Sequence, residues 1–214
     1  MGRFGDELHL LDRALFPEQE VSSPRAILFT SSHFGEGVTS ITLGLAIFKA
    51  GILLDPTGVI AVEGNLRDPS FRQTLNLSGT GSIQRVLDGS CELEDAIQVV
   101  EDHGFAVLLA ERRTGEGDRG PSEATLANMR GLLIELKKQY RFILVDSPPV
   151  IPFIDTAILC DMVDGVVLVV ESEMTRAQVV DFAIERLKSS GAEILGTILN
   201  KRQFHIPKWL YRFL

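Results

Sequence analysis

Three observations predict a doubly wound α/β fold, in which a mostly parallel sheet carries helices on both faces. Short apolar runs alternate with longer helix-like segments along the 214 residues. The short runs are nearly continuous in Val, Ile, Leu and Phe, which is typical of parallel strands buried on both sides. A glycine-containing segment separates the first run from the first long helix. This architecture binds its ligands at such loops, beyond the carboxyl ends of the strands.

Six apolar runs are predicted to be strands, because each is short and is bounded by Gly, Asp or Pro. They cover residues 26–30, 59–62, 105–109, 142–145, 165–170 and 194–199. The segments between them have helical periodicity, at 41–50, 83–87, 93–99, 123–139 and 176–189. We predict three parts: an N-terminal helix and linker over 1–25, the α/β domain over 26–200, and a basic, aromatic tail over 201–214.

Composition excludes several classes of protein. The formal net charge of −8 argues against nucleic-acid binding, which depends on neutralising phosphates. No apolar run approaches the roughly 18 residues that span a bilayer. The two cysteines have no metal-type spacing. We therefore expect a soluble, cytoplasmic chain with no nucleic-acid partner.

The segment 30–40 matches a phosphate-binding loop in most positions. The usual pattern is G-x-x-x-x-G-K-[S/T], in which backbone N–H groups cradle phosphate and the lysine adds positive charge. Ser32 stands where the first glycine belongs, and Val38 replaces the lysine. The alternative for this segment alone is a glycine-rich turn without chemistry. The predicted nucleotide-binding residues of the loop are Gly35, Glu36, Gly37, Thr39 and Ser40.

A second candidate segment is the strand 142–145, which ends in Asp146 and continues into two prolines. Four apolar residues followed by Asp form a Walker-B arrangement, whose carboxylate lies near a metal. Thr39 stands where a loop hydroxyl coordinates Mg²⁺. The sequence therefore predicts Thr39 and Asp146 as Mg²⁺ ligands.

With the segment 63–69, these motifs resemble the cytoplasmic catalytic domain of bacterial tyrosine kinases of capsule and exopolysaccharide synthesis, which are relatives of septum-site and partitioning ATPases. In that family the loop reads P-G-E-G-K-[S/T], the next strand ends in D-x-D-L-R-x-P, and the third motif is D-x-P-P. The matching segments here are 34–40, 63–69 and 146–149. The resemblance extends from about residue 7 to 214.

The resemblance implies a P-loop NTPase-like fold that binds ATP or ADP with Mg²⁺. It implies Asp146 and Glu63 as catalytic carboxylates and Asn200 as a residue that holds the base. It also implies a homo-oligomer and a membrane polysaccharide co-polymerase as partner. Active relatives carry a tyrosine cluster in the tail, and the corresponding phosphoacceptor here is Tyr211.

The chain departs from the family where phosphate charge is handled. Besides Val38, His33 stands where relatives with a second, signature lysine carry it, and Glu63 and Asn65 replace two aspartates. A positioned cation facing transferring phosphate is worth several kcal/mol, or roughly 10³–10⁵ in rate. Efficient phosphoryl transfer is therefore not expected. The arginines at 67 and 72 are candidates for the missing charge, although solvated surface arginines are the commoner case.

Both ends leave two alternatives open. Residues 7–13 resemble the family's E-x-x-R-x-x-R oligomerisation helix, with Leu10 in place of the middle arginine. The same residues also suit an amphipathic helix packed on its own domain. The tail has basic and aromatic residues that suit an anionic membrane surface or a membrane partner, or equally the domain's own apolar surface.

These observations predict a catalytically impaired, kinase-like regulator of polysaccharide synthesis and export at the inner face of a bacterial membrane. The main alternative is an active ATP-dependent tyrosine autokinase with a rearranged nucleotide site. A partitioning-type ATPase is less favoured because the signature lysine is absent.

Overall fold

The computed structural model describes residues 3–16, 23–53, 58–112 and 120–202. These residues form seven strands in one mostly parallel sheet, so the predicted doubly wound α/β class is confirmed. The strands are β1 (Arg25–Ser31), β2 (Val59–Glu63), β3 (Ile97–Val100), β4 (Phe105–Leu108), β5 (Phe142–Asp146), β6 (Gly165–Glu171) and β7 (Ile194–Asn200). Their order is β3-β4-β2-β5-β1-β6-β7, and only β3 runs antiparallel to its neighbour.

The described residues also form eight helices, whose bounds follow the sequence periodicity closely for the long ones. They are α1 (Arg3–Leu15), α2 (Val38–Leu53), α3 (Phe71–Thr74), α4 (Ile83–Leu87), α5 (Leu93–Ala96), α6 (Glu123–Gln139), α7 (Asp155–Cys160) and α8 (Ala177–Ser189). The start of α6 is fixed by Ser122, whose hydroxyl accepts a hydrogen bond from the Thr125 N–H at 3.1 Å.

Each face of the sheet has its own hydrophobic core, as the continuous apolar strands require. Helices α1, α2 and α3 contribute to the core on one face, and α4, α6, α7 and α8 contribute to the core on the other. The central strands β1, β2 and β5 are almost completely buried. Their carboxyl ends are therefore held in a rigid frame, and this frame positions the loops described below.

The prediction of one helix over 93–99 is wrong. The helix ends at Ala96, and Ile97–Val100 forms β3, which pairs antiparallel with β4 at the sheet edge. Apolar residues in so short a segment fit either period, and the neighbouring strand decides the outcome. The short helices α3 and α7 are absent from the sequence-based prediction.

Helix α1 packs on its own domain, which is the second of the two alternatives for this segment. Leu8 and Leu15 are buried, and Asp12 forms a buried ion pair with Lys49 of α2 at 2.8 Å. Leu10, at the position of the family's middle arginine, is 69% exposed. Oligomerisation through this helix stays a prediction.

Residues 203–214, including Tyr211, lie outside the described residues. No described helix is long and apolar enough to cross a membrane.

Candidate nucleotide-binding site

The candidate site lies at the carboxyl ends of β1 and β5, where the chain turns to opposite faces of the sheet. These two strands are neighbours, with Phe29 in register with Asp146. The chain after β1 enters α2 on one face, and the chain after β5 enters α7 on the other. A crevice therefore opens between the two loops, which is the usual ligand position in a doubly wound sheet.

The loop between β1 and α2 depends on two glycines in left-handed backbone conformations. Gly35 has φ +84° and Gly37 has φ +95°, which side chains other than glycine rarely adopt. Any Cβ atom at Gly37 would also lie 2.2 Å from the Asn200 carboxamide nitrogen. Both glycines are thus required by the shape of the loop.

The Glu36 carboxylate braces this loop from within. One of its oxygens accepts hydrogen bonds from the Ser32 N–H at 2.7 Å and the His33 N–H at 3.0 Å. The other accepts from the Glu171 N–H at 3.3 Å and from the Thr175 hydroxyl. The side chain is only 3% exposed. Its carboxylate is therefore committed to the fold, and only the main chain of Glu36 remains for a ligand.

The loop presents a row of free backbone donors. Within the described part of the chain, the N–H groups of residues 35–40 make no hydrogen bond to protein. These residues run into the amino end of α2, a 16-residue helix whose dipole favours negative charge there. Consecutive free N–H groups at a helix start form an anion cradle. The exposed Ser40 contributes through its N–H, in the first turn of α2.

The end of β7 holds the loop from its outer side. The Asn200 side chain donates to the Glu36 carbonyl at 2.9 Å. The next residue, Lys201, donates to the Gly35 carbonyl at 2.6 Å and pairs with the Glu171 carboxylate at 3.0 Å. The structure thus places Asn200 beside the loop, and its predicted contact with a base stays a prediction.

Thr39 and Asp146 meet in the crevice, and their predicted role as Mg²⁺ ligands stays a prediction. The Thr39 hydroxyl donates to one Asp146 oxygen at 2.8 Å, and the other oxygen is buried without a hydrogen-bond partner. Burial raises the pKa of Asp146 to about 7; the Thr39 hydrogen bond acts against this, and the Glu63 carboxylate raises the pKa further. A bound cation would favour the ionised form, because its charge replaces the lost solvation.

Asp146→Asn is expected to stabilise the protein increasingly as the pH rises. The carboxyl pKa is about 7 in the fold against 3.8 in an unfolded chain, so between these values the folded state binds more protons and stability falls with rising pH. The penalty is absent below pH 4 and complete above pH 7, where it is on the order of 4 kcal/mol. Urea unfolding at pH 4, 6 and 8, without nucleotide or Mg²⁺, measures it. An equal effect of the substitution at all three pH values would contradict this expectation.

Glu63 lies beside Asp146 in the sheet but its carboxylate serves the backbone. The two residues are in register across β2 and β5. One Glu63 oxygen accepts from the N–H groups of Ser70 and Phe71 at 2.5 and 2.6 Å, and the other accepts from the Ala110 N–H at 2.8 Å. Burial raises the pKa of Glu63 in spite of these three hydrogen bonds. The geometry assigns it to holding the start of α3, and its predicted catalytic role stays untested.

The crevice contains no cationic side chain among the described residues that line it. It encloses about 190 Å³. Its lining residues are Ser31, Phe34, Gly35, Glu36, Gly37, Val38, Thr39, Asn65, Asp68, Ser70, Asp146, Ser147 and Pro149. Phosphate bound here would face backbone dipoles and the carboxylates of Asp68 and Asp146, without a lysine or arginine in contact.

Both arginines considered as replacements for the lysine make other contacts. Arg67 forms a bidentate pair with Asp155, at 2.6 and 2.9 Å, and its guanidinium stacks on the Phe153 ring at 4.2 Å. Arg72 donates to the Gly79 carbonyl at 2.6 Å and the Gly81 carbonyl at 3.4 Å. Neither lines the crevice. These contacts fix the neighbouring loops.

A nucleotide with Mg²⁺ fits the residues that are present, except for the missing lysine. The free N–H groups of 35–40 would hold phosphate, and Thr39 with Asp146 would hold the metal through oxygen, the ligand type that Mg²⁺ requires. Bound Mg²⁺ supplies positive charge to phosphate oxygens. No cluster of three or more His, Cys, Asp or Glu side chains suited to a metal occurs in the described ranges.

A mostly parallel sheet with an anion cradle after β1 and an aspartate at the end of the adjacent β5 defines a P-loop NTPase-like domain. The homologues of this chain are bacterial tyrosine-protein kinases of the capsule (Cps, CapB and Etk) type. The resemblance seen in the sequence motifs is thereby confirmed. No family model matches the chain.

The sequence similarity covers most of this chain. The tyrosine-protein kinase YwqD of Bacillus subtilis is 27% identical over 84% of this chain and 73% of YwqD. The tyrosine-protein kinase Etk of Escherichia coli is also 27% identical, over 81% of this chain but only 23% of Etk. The chain thus corresponds to a small part of that longer kinase.

Solved structures share the fold. The kinase domain of the Escherichia coli tyrosine kinase Etk has a TM-score of 0.82 at 24% identity, covering 95% of this chain and 79% of that domain. The septum-site-determining protein MinD of Pyrococcus horikoshii, solved with Mg-ADP, has a TM-score of 0.68 at 23% identity, covering 89% and 76%. At these identities the likeness establishes the architecture alone.

The structure brings together most of the residues singled out from sequence, and adds three. The loop, Asp146 and Asn200 converge at one edge of the sheet. Thr175, Glu171 and Lys201 were not expected at the loop, and Lys201 was assigned to the tail. The only sequence signal for Lys201 is its position directly after Asn200.

Proposed function

We propose that this chain is a kinase-like P-loop domain that regulates exopolysaccharide or capsule biosynthesis and export, with impaired phosphoryl transfer. The observation that carries the proposal is a complete anion cradle whose crevice has no cation among its lining residues. The kinase homologues of the capsule type support the biological setting.

Impaired transfer follows from the positions that handle charge in this family. Val38 is buried and contributes an apolar surface where a lysine would face phosphate. The Glu63 carboxylate is saturated by three backbone N–H groups. The Asn65 oxygen accepts from the Asp68 N–H at 3.2 Å. Backbone N–H groups alone can bind phosphate. Phosphoryl transfer also needs positive charge that neutralises the negative charge developing on the transferred phosphoryl and leaving groups.

Regulation would then depend on binding. In this proposal the domain docks on the cytoplasmic segment of a membrane polysaccharide co-polymerase at the inner face of the bacterial membrane. Weakly bound ATP or ADP with Mg²⁺ would adjust this docking, because the same loop meets β6 and β7 through Glu36, Asn200 and Lys201. Nucleotide in the cradle would hold the phosphate loop, and with it the ends of β6 and β7, more firmly than an empty cradle does.

Val38→Lys is expected to bind ADP and ATP with Mg²⁺ roughly 100-fold more tightly than the parent, since a positioned cation at a buried anion is worth about 3 kcal/mol. Calorimetric titration of both proteins measures the difference. Val38→Met is the matched control, because it lengthens the side chain without adding charge. We expect Val38→Met to bind like the parent.

Tight nucleotide binding or saturable ATP turnover by the parent would overturn the impaired-kinase proposal. The intact Thr39–Asp146 contact favours the alternative of an active autokinase. Phosphate transferred from ATP to Tyr211, and abolished by Asp146→Asn, would establish that alternative.

A further inference from the structure

Two consecutive residues at the end of β7 bind two consecutive carbonyls of the loop. Asn200 donates to the Glu36 carbonyl at 2.9 Å, and Lys201 donates to the Gly35 carbonyl at 2.6 Å. The contacts are separated by more than 160 residues along the chain. They are therefore a property of the tertiary fold, and a short loop alone would not form them.

These contacts determine which way the loop N–H groups point. All described peptide bonds are trans. In a trans peptide the C=O and the following N–H lie on opposite sides of the chain. When the carbonyls of Gly35 and Glu36 are held toward β7, the N–H groups of Glu36 and Gly37 must point away from it, toward the crevice.

Lys201 also brings positive charge to the loop. Its side chain is about half exposed, and its ammonium group is shared between the Gly35 carbonyl and the Glu171 carboxylate. A hydrogen bond from a charged donor is stronger than a neutral one and polarises the peptide that accepts it. The N–H of that same peptide, on Glu36, consequently becomes a stronger donor toward an anion.

The backbone at this point is specialised. Lys201 has φ +55°, a conformation that costs energy for a residue other than glycine and persists only where contacts hold it. Asn200 lies so close to Gly37 that any side chain at position 37 would collide with it. The end of β7 and the loop are thus packed closely, and the conformation of each depends on the other.

We propose that Asn200 and Lys201 form a carbonyl clamp that orients the loop N–H groups toward a bound phosphate, and that Lys201 supplies part of the positive charge that Val38 does not. The ligand class is a di- or triphosphate, so the inference rests on the proposed nucleotide-binding function. In this role Lys201 is a positioning residue, since it acts through the Gly35–Glu36 peptide. The clamp also explains how a loop without its lysine keeps the cradle shape.

The first test uses the order of the loop without added nucleotide. Lys201→Met is expected to lower the ¹⁵N order parameters of the Glu36 and Gly37 N–H groups from rigid values of about 0.85 to below about 0.6. Lys201→Arg should retain the rigid values, because it keeps the charge and a donor. Lys188→Met removes an exposed lysine at the end of α8 and is the charge-matched control, with no change expected.

The second test uses affinity for pyrophosphate with Mg²⁺ in the Val38→Lys background. We expect Lys201→Met to weaken binding about tenfold and Lys188→Met to leave it unchanged. Unchanged loop order and unchanged affinity in Lys201→Met would overturn the clamp while leaving the proposed function standing. If the Val38→Lys protein binds neither pyrophosphate nor nucleotide, the proposed function fails, and the order parameters still decide whether the clamp orients the loop.

Discussion

Glu63→Ala is expected to destabilise the fold by roughly 4 kcal/mol, a large part of the stability of a domain this size. The carboxylate is fully buried and accepts from the N–H groups of Ser70, Phe71 and Ala110. Each buried donor left without an acceptor costs about 1–3 kcal/mol. Burial raises the pKa of Glu63, which shows that the buried carboxylate has a desolvation cost. The substitution removes this cost, so the net loss of stability is smaller than the summed cost of the three unsatisfied N–H groups.

Equilibrium urea unfolding measures this loss as a lower midpoint at an unchanged slope. Glu63→Gln keeps one carbonyl oxygen and the shape of the side chain, so we expect about half the effect. Glu135→Ala removes a carboxylate that is exposed and paired with Lys138, and should cost less than about 1 kcal/mol. A Glu63→Ala protein as stable as Glu135→Ala would show that the backbone at α3 is held by other contacts.

Asp155→Ala is expected to cost about 3 kcal/mol. Asp155 is buried at the first position of α7 and forms the bidentate pair with Arg67, whose side chain is 16% exposed. Breaking a buried ion pair by removing one partner leaves the other charge poorly compensated, at a cost of 3–5 kcal/mol. The stacking of Arg67 on Phe153 remains in the variant and offsets part of this cost. We therefore expect a loss of stability at the lower end of that range.

A matched comparison separates burial from charge. Asp161→Ala breaks an ion pair with Arg130 on the same side of the sheet, but both partners are more than half exposed. Such a pair is worth about 0–1 kcal/mol. Thermal and urea unfolding of the two variants should therefore differ by about 2 kcal/mol or more. Equal losses would mean that the Arg67–Asp155 contact contributes little to holding the segment 63–69 against α7.

Much of the fold was predictable because its signals are local. Six of the seven strands were expected within about a residue of their observed ends, since strands buried on both faces are continuous in apolar residues. Helix α6 was predicted over its observed bounds from helical periodicity, and the structure adds the Ser122 cap at its start. The edge strand β3 was missed because a segment of four residues, three of them apolar, is too short to show a period, and its partner β4 decides its conformation.

For the candidate site, the sequence predicted which residues lie together, and their roles stay predictions. The contact between Thr39 and Asp146 follows from motif order, because parallel strands bring their carboxyl ends to one edge. The hydrogen-bond partners of individual side chains do not follow from motif order. Nothing near Glu36 in the sequence shows that its carboxylate binds β6 and two N–H groups of its own loop.

The architecture, the position of the phosphate loop and the loss of its lysine could be predicted from residue types and local spacing. The contacts of Glu63 with the backbone and of Lys201 with the loop could not. Each of these hydrogen bonds requires a distance of about 3 Å between groups that are far apart in the chain. Such distances exist only after the sheet has formed.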